Sequence, residues 1–300
     1  MPATLHPFRP RSLVVISLLM VVGVIAGTLG AAALLPALGA ELAGHYAELQ
    51  GVKMWFVDTG GPGTPVVLLH ANTGTAASWE IQATQFSRAG YRVIAFDRRG
   101  WGKSMADGAT GAQPGSVAED LAALADRLGL DRFHLVGVAG GGFAAIDYAA
   151  WHPERLRSLV VAASTGQFSE KEIEDFRARV QPPEVGRLPV LYREVGPSYR
   201  GGNPEGTRRW IDIEAHAQQA GAPAQPLRTP NTYAKLATVT MPVLVLAADA
   251  DLLAPPSMMR AWAAHLKNYE FATVPESGHS IAWEQPEIFN EKVLAFIARH

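Results

Sequence analysis

The stretch Phe133-His134-Leu135-Val136-Gly137-Val138-Ala139-Gly140-Gly141-Gly142 runs from an apolar strand pattern into a glycine-dense turn, and a helical pattern continues from it to His152. Strand, tight turn and helix in that order, with Gly137 and Gly141 two residues either side of a central position, make the frame that exposes a nucleophile on a sharp turn. Small residues are required around it because the turn is tight and its central backbone strained. Here the central residue is Ala139, which carries no nucleophilic atom. A dinucleotide loop also joins a strand to a helix, but it needs an acid about 20 residues further on for the ribose. That region reads Leu159-Val160-Val161-Ala162-Ala163-Ser164 and offers none. A phosphate-binding loop would need Gly-Lys-Ser/Thr, which is absent.

On both sides of this turn, short apolar runs alternate with helical patterns, the mark of an α/β fold with a mostly parallel sheet covered on both faces. The strand candidates are Lys53–Val57, Val66–Leu69, Arg92–Phe96, Phe133–Val136, Leu159–Ala162, Val243–Leu246 and Phe271–Val274. Ser116 with Glu119 forms a capping box, and Val117, Leu121, Leu124 and Leu128 then recur at helical spacing. A last helix begins near Pro286 and puts Ile288, Phe289, Val293, Phe296 and Ile297 on one face. The alternation stops between about Ser164 and Thr240, where Ser169–Val180 and Pro204–Gln219 read as helices. Ser169 with Glu172 is a second possible capping box, and Asn203-Pro204 is a helix start. A helical insertion between two sheet strands reads as a cap over a site.

Ligands of such sheets bind beyond the carboxyl ends of the strands. The loops there carry His70-Ala71-Asn72-Thr73-Gly74, then Asp97-Arg98-Arg99-Gly100-Trp101-Gly102-Lys103-Ser104, then Asp249 and Asp251, then Gly278-His279-Ser280. Nucleophile position, acid and histidine therefore follow one another in the chain order of a hydrolytic triad.

From about Tyr46 to His300 the chain resembles the α/β-hydrolase superfamily, in its esterase, lactonase and C–C hydrolase group. The resemblance rests on His70-Ala71-Asn72, Asp97 to Ser104, Leu135 to Gly142, His152-Pro153-Glu154-Arg155, Pro242 to Pro255, and Gly278-His279, all in register. It implies an eight-stranded, mostly parallel sheet with helices on both faces and a helical cap inserted after the sixth strand. The chain departs from the pattern twice: Ala71 replaces the commoner Gly, and Ala139 stands where the family has Ser, or less often Asp or Cys.

The resemblance makes Ala139 the nucleophile position, His279 the general base and Asp251 the acid that orients it, with Asp249 left as a loop or backup carboxylate. The backbone N–H groups of Asn72 and Gly140 would be the two oxyanion donors. Trp101, Val138 and Trp210 are candidate substrate contacts, and Phe168, Tyr192 and Tyr199 are further aromatic candidates in or near the cap. The implied activity is serine hydrolysis of a carboxylic ester or lactone through an acyl-enzyme, present here as an inactive variant in which Ala replaces the serine. Two alternatives stay open: a natural non-catalytic ligand-binding protein, and an Asp-nucleophile hydrolase of the dehalogenase or epoxide hydrolase type that has lost its nucleophile. The expected partner is a small-molecule ester or lactone, with no metal and no organic cofactor.

Composition narrows the rest. With 26 Lys+Arg against 28 Asp+Glu, the net charge of −2 lacks the basic excess of a nucleic-acid binder. The absence of cysteine excludes disulfides, thiolate metal sites and a cysteine nucleophile. No charged residue lies between Arg11 and Glu41, a run long enough for a bilayer span, behind the basic residues Arg9 and Arg11. Residues 1–44 are accordingly read as a signal or anchor segment with membrane anchoring through residues 12–40. The protein is expected to be exported or membrane-anchored, with its hydrolase domain extracytoplasmic. Residues 45–164 and 240–300 are read as the core, and 165–239 as the helical cap.

Overall fold

The computed structural model describes residues 43–300. Its sheet contains β1 (Gly44–Leu49), β2 (Val52–Asp58), β3 (Pro65–Leu69), β4 (Arg92–Phe96), β5 (Met105–Ala106), β6 (Phe133–Val138), β7 (Leu156–Ala162), β8 (Val243–Ala248) and β9 (Tyr269–Val274). The strand order is β1-β2-β4-β3-β6-β7-β8-β9, with the two-residue β5 beside β2. β2 runs antiparallel to β1, β4 and β5, while every pair from β4 across to β9 is parallel. Leaving β5 aside, eight strands remain, as the resemblance implied.

Side chains of a strand alternate between faces, so one strand feeds two cores. Val67 and Leu69 of β3, Leu135 of β6 and Val243, Val245 and Ala247 of β8 pack on one face. Val66, Leu68, Val136, Leu244, Leu246 and Ala248 pack on the other. Strands buried on both faces read as continuous apolar runs, which is why the central ones were legible. The first face is covered by helices Val117–Arg127, Gly140–Trp151 and Pro256–Ala263, the second by Glu80–Arg88 and Pro286–Ile297. β1 was not expected: only Ala47 of its six residues is buried, so it has no apolar run to read.

Ser116 caps its helix as expected, accepting from the Glu119 N–H at 3.2 Å. The Ser169–Glu172 box does not form: that helix runs Lys171–Val180 with Glu170 at its N-cap and no side-chain cap bond. The helix after Asn203 ends at Ala215 rather than at Gln219, and its first turn is capped by the Asn203 side chain on Gly206 N–H at 2.8 Å.

Six helices lie between β7 and β8: Lys171–Val180, Pro183–Arg187, Val190–Glu194, Pro197–Gly202, Pro204–Ala215 and Tyr233–Leu236. β7 is the sixth of the eight longer strands. Backbone bonds stitch this insertion to the sheet loops, with Gly102 N–H on Ala217 O at 2.8 Å and Gln219 N–H on Gly100 O at 2.9 Å. Buried beneath, Arg99 pairs with Asp120 at 2.6 Å, and Asp120 also accepts from Gln225 of the insertion at 2.8 Å.

The expectation of an exported or membrane-anchored protein is corrected here. Among the described residues no helix is long and apolar enough to cross a membrane. The longest have 12 residues. At 1.5 Å per residue that is about 18 Å, short of the roughly 30 Å hydrocarbon layer. The run at residues 12–40 that prompted the expectation lies outside the described residues.

Candidate active site

The turn after β6 places Ala139 at φ 49°, ψ −117°, a left-handed conformation that costs an L-residue free energy and is held by its surroundings. Both its backbone groups are pinned. Its N–H donates to Ala162 O at 3.0 Å, and its carbonyl accepts from Gly142 N–H at 3.0 Å and from the Ser164 hydroxyl at 2.8 Å. The flanking glycines are dictated by close approach: a Cβ on Gly137 would lie 2.5 Å from Gly141 O, and one on Gly141 would overlap Leu69 O. The turn also leaves the Gly140 N–H without an acceptor among the described residues, and the Asn72 N–H is likewise unclaimed.

The Ala71-Asn72 pair is held by three side-chain hydrogen bonds. Trp101 Nε1 donates to the Asn72 carbonyl at 2.8 Å, and Arg98 Nη2 donates to the Asn72 side-chain oxygen and to Ala71 O, each at 3.1 Å. His70 Nε2 accepts from Arg98 N–H at 3.0 Å, so Nδ1 carries the ring proton toward Ala71 O at 2.7 Å. Burial and then the Arg98 charge drive the His70 pKa well below its usual value, and the Ala71 bond only partly opposes them. His70 is thus a neutral scaffold for the loop. His134 bonds Ser158 inside the sheet and His152 bonds Glu154 at the surface, so neither joins the site.

The loops after β8 and β9 bring Asp251 and His279 together, with Oδ2 and Nδ1 2.8 Å apart. Asp251 is fixed further, its other oxygen accepting from Leu253 N–H at 2.7 Å and Ala254 N–H at 2.9 Å. Asp249 is exposed, and its carboxylate has no hydrogen-bond or ion-pair partner among the described residues. With Nδ1 donating to Asp251, Nε2 is the ring nitrogen that gains and loses the titrating proton. A cavity of about 230 Å³ holds Ala139, Gly140, Asn72 and His279 in one wall system.

Two carboxylates in this region had no sequence signal. Glu194 lines the same cavity from the insertion, with Thr73 Oγ1 as its side-chain partner at 3.4 Å, and burial raises its pKa. Glu284 is buried behind the histidine loop and accepts from Gly196 N–H at 2.8 Å, Gly278 N–H at 2.9 Å and Ser280 N–H at 3.2 Å. Burial lifts its pKa to about 7 against the pull of those three donors. Since Gly196 belongs to the insertion and Gly278 and Ser280 flank His279, Glu284 fastens one to the other. Glu284→Ala would strand the two buried N–H groups of Gly196 and Gly278, Ser280 N–H keeping Glu194 O at 2.9 Å, so a loss of at least about 2 kcal/mol is expected in urea unfolding. A loss below about 1 kcal/mol would show that the clamp is immaterial.

Burial alone would lower the His279 pKa, but the charges of Asp251 and Glu194, the Asp251 hydrogen bond and the more remote Glu284 outweigh it and hold it at about 9. Stabilisation from the charged pair is then complete below the unfolded value of about 6.5 and disappears as pH rises through 9. His279→Gln is expected to cost up to about 3 kcal/mol at pH 6 and much less at pH 10. A pH-independent cost would mean a ring that is neutral throughout.

Of the expected substrate contacts, Val138 and Trp210 line a small pocket of about 40 Å³ together with His279, and Trp210 Nε1 donates to Ser280 Oγ at 2.9 Å. Trp101 is buried and committed to Asn72. Phe168 is buried against Trp262 and Tyr233, with ring centroids 5.6 and 5.9 Å away, so it belongs to the core. Tyr192 is exposed and Tyr199 bonds Asn203; neither lines the cavity at Ala139. Among the described residues no group of three or more His, Cys, Asp or Glu is placed to hold a metal ion.

The chain is similar to known proteins. A profile of the alpha/beta hydrolase family matches residues 66–292. A relative from Variovorax paradoxus (strain S110), which carries the provisional name carbamate hydrolase RutD, is 31% identical over 247 residues, 79% of this chain and 92% of that protein. The 2-hydroxy-6-oxononadienedioate/2-hydroxy-6-oxononatrienedioate hydrolase of Burkholderia vietnamiensis is 29% identical over 281 residues, 87% of this chain and 93% of that protein. Among solved structures, a thermophilic esterase from Thermogutta terrifontis, determined with malate bound, has a TM-score of 0.71 at 26% identity and covers 85% of this chain and 98% of its own.

Proposed function

The chain belongs to the alpha/beta hydrolase family, and on that premise we propose that its site is built to cleave a carboxylic ester or lactone through an acyl-enzyme, with the nucleophile absent because Ala139 stands in its place. The observation that supports this best is the grouping in one cavity of the strained elbow position, the His279–Asp251 pair and the two unclaimed N–H groups. The esterase from Thermogutta terrifontis favours esters over the other chemistries represented among the relatives.

With a serine at position 139, the neutral form of His279, whose share grows as pH rises toward its pKa of about 9, takes the Oγ proton on Nε2 as Oγ attacks the carbonyl carbon, and Asp251 steadies the resulting imidazolium. The N–H groups of Gly140 and Asn72 hold the oxyanion. The alcohol departs with the proton from His279, and water then releases the acid by the same sequence. Residues 165–239 serve as the cap over a core of 45–164 and 240–300, and Val138 and Trp210 contact the substrate. Trp101 acts on the substrate only through Asn72. In the chain as written, the Cβ of Ala139 has nothing to transfer, so substrate binds without forming the covalent intermediate.

A fluorophosphonate probe tests this reading. Its phosphorus is attacked by an activated serine oxygen with loss of fluoride, so the Ala139→Ser protein should gain one label by mass spectrometry. The chain as written should gain none. An unlabelled Ala139→Ser protein that is folded would defeat the assignment.

A further inference from the structure

Arg98 and Arg99 are neighbours in sequence, and both are buried, at 6% and 4% exposure. Arg99 has a counter-ion, Asp120, on two of its nitrogens at 2.6 and 3.2 Å. Among the described residues Arg98 has none. Its guanidinium donates to neutral oxygens, Ala71 O and Asn72 Oδ1, its Nε has no partner there, and it stacks over the Trp101 ring 4.5 Å away. Burial pushes its pKa down to about 9, so it remains cationic at neutral pH. A buried charge is normally paired, because removing it from water is costly.

What Arg98 touches suggests where the counter-charge comes from. Both acceptors belong to the loop that presents the Asn72 N–H, and a Cβ on Gly140 would overlap Asn72 Oδ1, so the Arg98–Asn72 bond packs against the residue that carries the other unclaimed amide. Arg98 also lines a cavity of about 220 Å³ whose wall shares Asn72, Gly140 and Phe143 with the cavity at Ala139.

We propose that Arg98 is a positioning residue that supplies a fixed positive charge to the pocket formed by the Gly140 and Asn72 amides, and that in the chain as written this pocket binds the carboxylate of a small organic acid. The inference rests on the reading of those two amides as oxyanion donors. A charge fixed beside the pocket, away from bulk water, favours an anion there and costs no reorganisation when the negative charge arrives.

The test uses the chain as written, so it does not depend on whether Ala139→Ser is active. Calorimetric titration at pH 7 with phenylacetate and with phenylacetamide, a neutral molecule of the same shape, should show at least about a tenfold preference for the acid. Arg98→Gln keeps a donor without the charge and should remove that preference, whereas Arg98→Lys should retain most of it. Asn72→Asp places a carboxylate against Arg98 and should raise the melting temperature while removing the preference for the acid. Equal affinity for acid and amide in the unmutated chain would overturn the proposal, as would a preference that survives Arg98→Gln. Should Arg98→Gln fail to fold, a lowered melting temperature in Asn72→Asp overturns it instead.

Discussion

Ala139→Ser is expected to raise ester hydrolysis by about 10⁶ in kcat over the chain as written, the size of effect that removal of a triad nucleophile has elsewhere. The rest of the site needs no adjustment to receive the hydroxyl. The φ of 49° is already held at Ala139 by its N–H bond to Ala162 O and by the bonds its carbonyl accepts from Ser164 and Gly142, which involve only backbone atoms of residue 139. Residue 139 lines a cavity of about 230 Å³, and the change adds one oxygen there. Initial rates on a panel of short-chain esters and lactones measure the gain. A folded Ala139→Ser protein with a gain under about tenfold on every substrate would sink the acyl-enzyme reading and favour a binding protein.

The second large effect concerns the acid. In the Ala139→Ser background, Asp251→Asn should lower kcat by about 10⁴, and Asp249→Asn should leave it nearly unchanged. The Asn carbonyl can keep the bonds from Leu253 and Ala254 N–H, which leaves its NH₂ facing His279 Nδ1. Nδ1 must then accept, the ring proton moves to Nε2, and the nitrogen needed as base is blocked. Exposed Asp249 exerts no such control. Equal losses for the two variants, with melting temperatures unchanged, would show that the 2.8 Å bond to His279 is not what sets the tautomer.

Much of this molecule was legible before its fold was known, and the legible parts share a cause. The glycines at 137 and 141, the apolar runs at Val66–Leu69 and Val243–Leu246, and the Ser116 cap are local demands of the backbone, met by neighbours in sequence. β1 escaped notice because an edge strand with one buried residue imposes no such pattern. The Ser169 box failed because its residues fitted the local signal while Glu170 was drawn to the Tyr233 N–H across the insertion.

The sequence by itself determined the order of elements, the elbow with alanine at its centre, and the chain order of acid and histidine. Only the tertiary structure decided that Phe168 is core, that Glu194 and Glu284 crowd the histidine with negative charge, and that Arg98 is buried with no counter-ion among the described residues. Each of these depends on groups brought together from distant parts of the chain, such as Glu284 with Gly196 or Arg98 with Asn72. Their separation is set by strand register and by the seating of the insertion, and a side chain's identity carries no record of either until the sheet has formed.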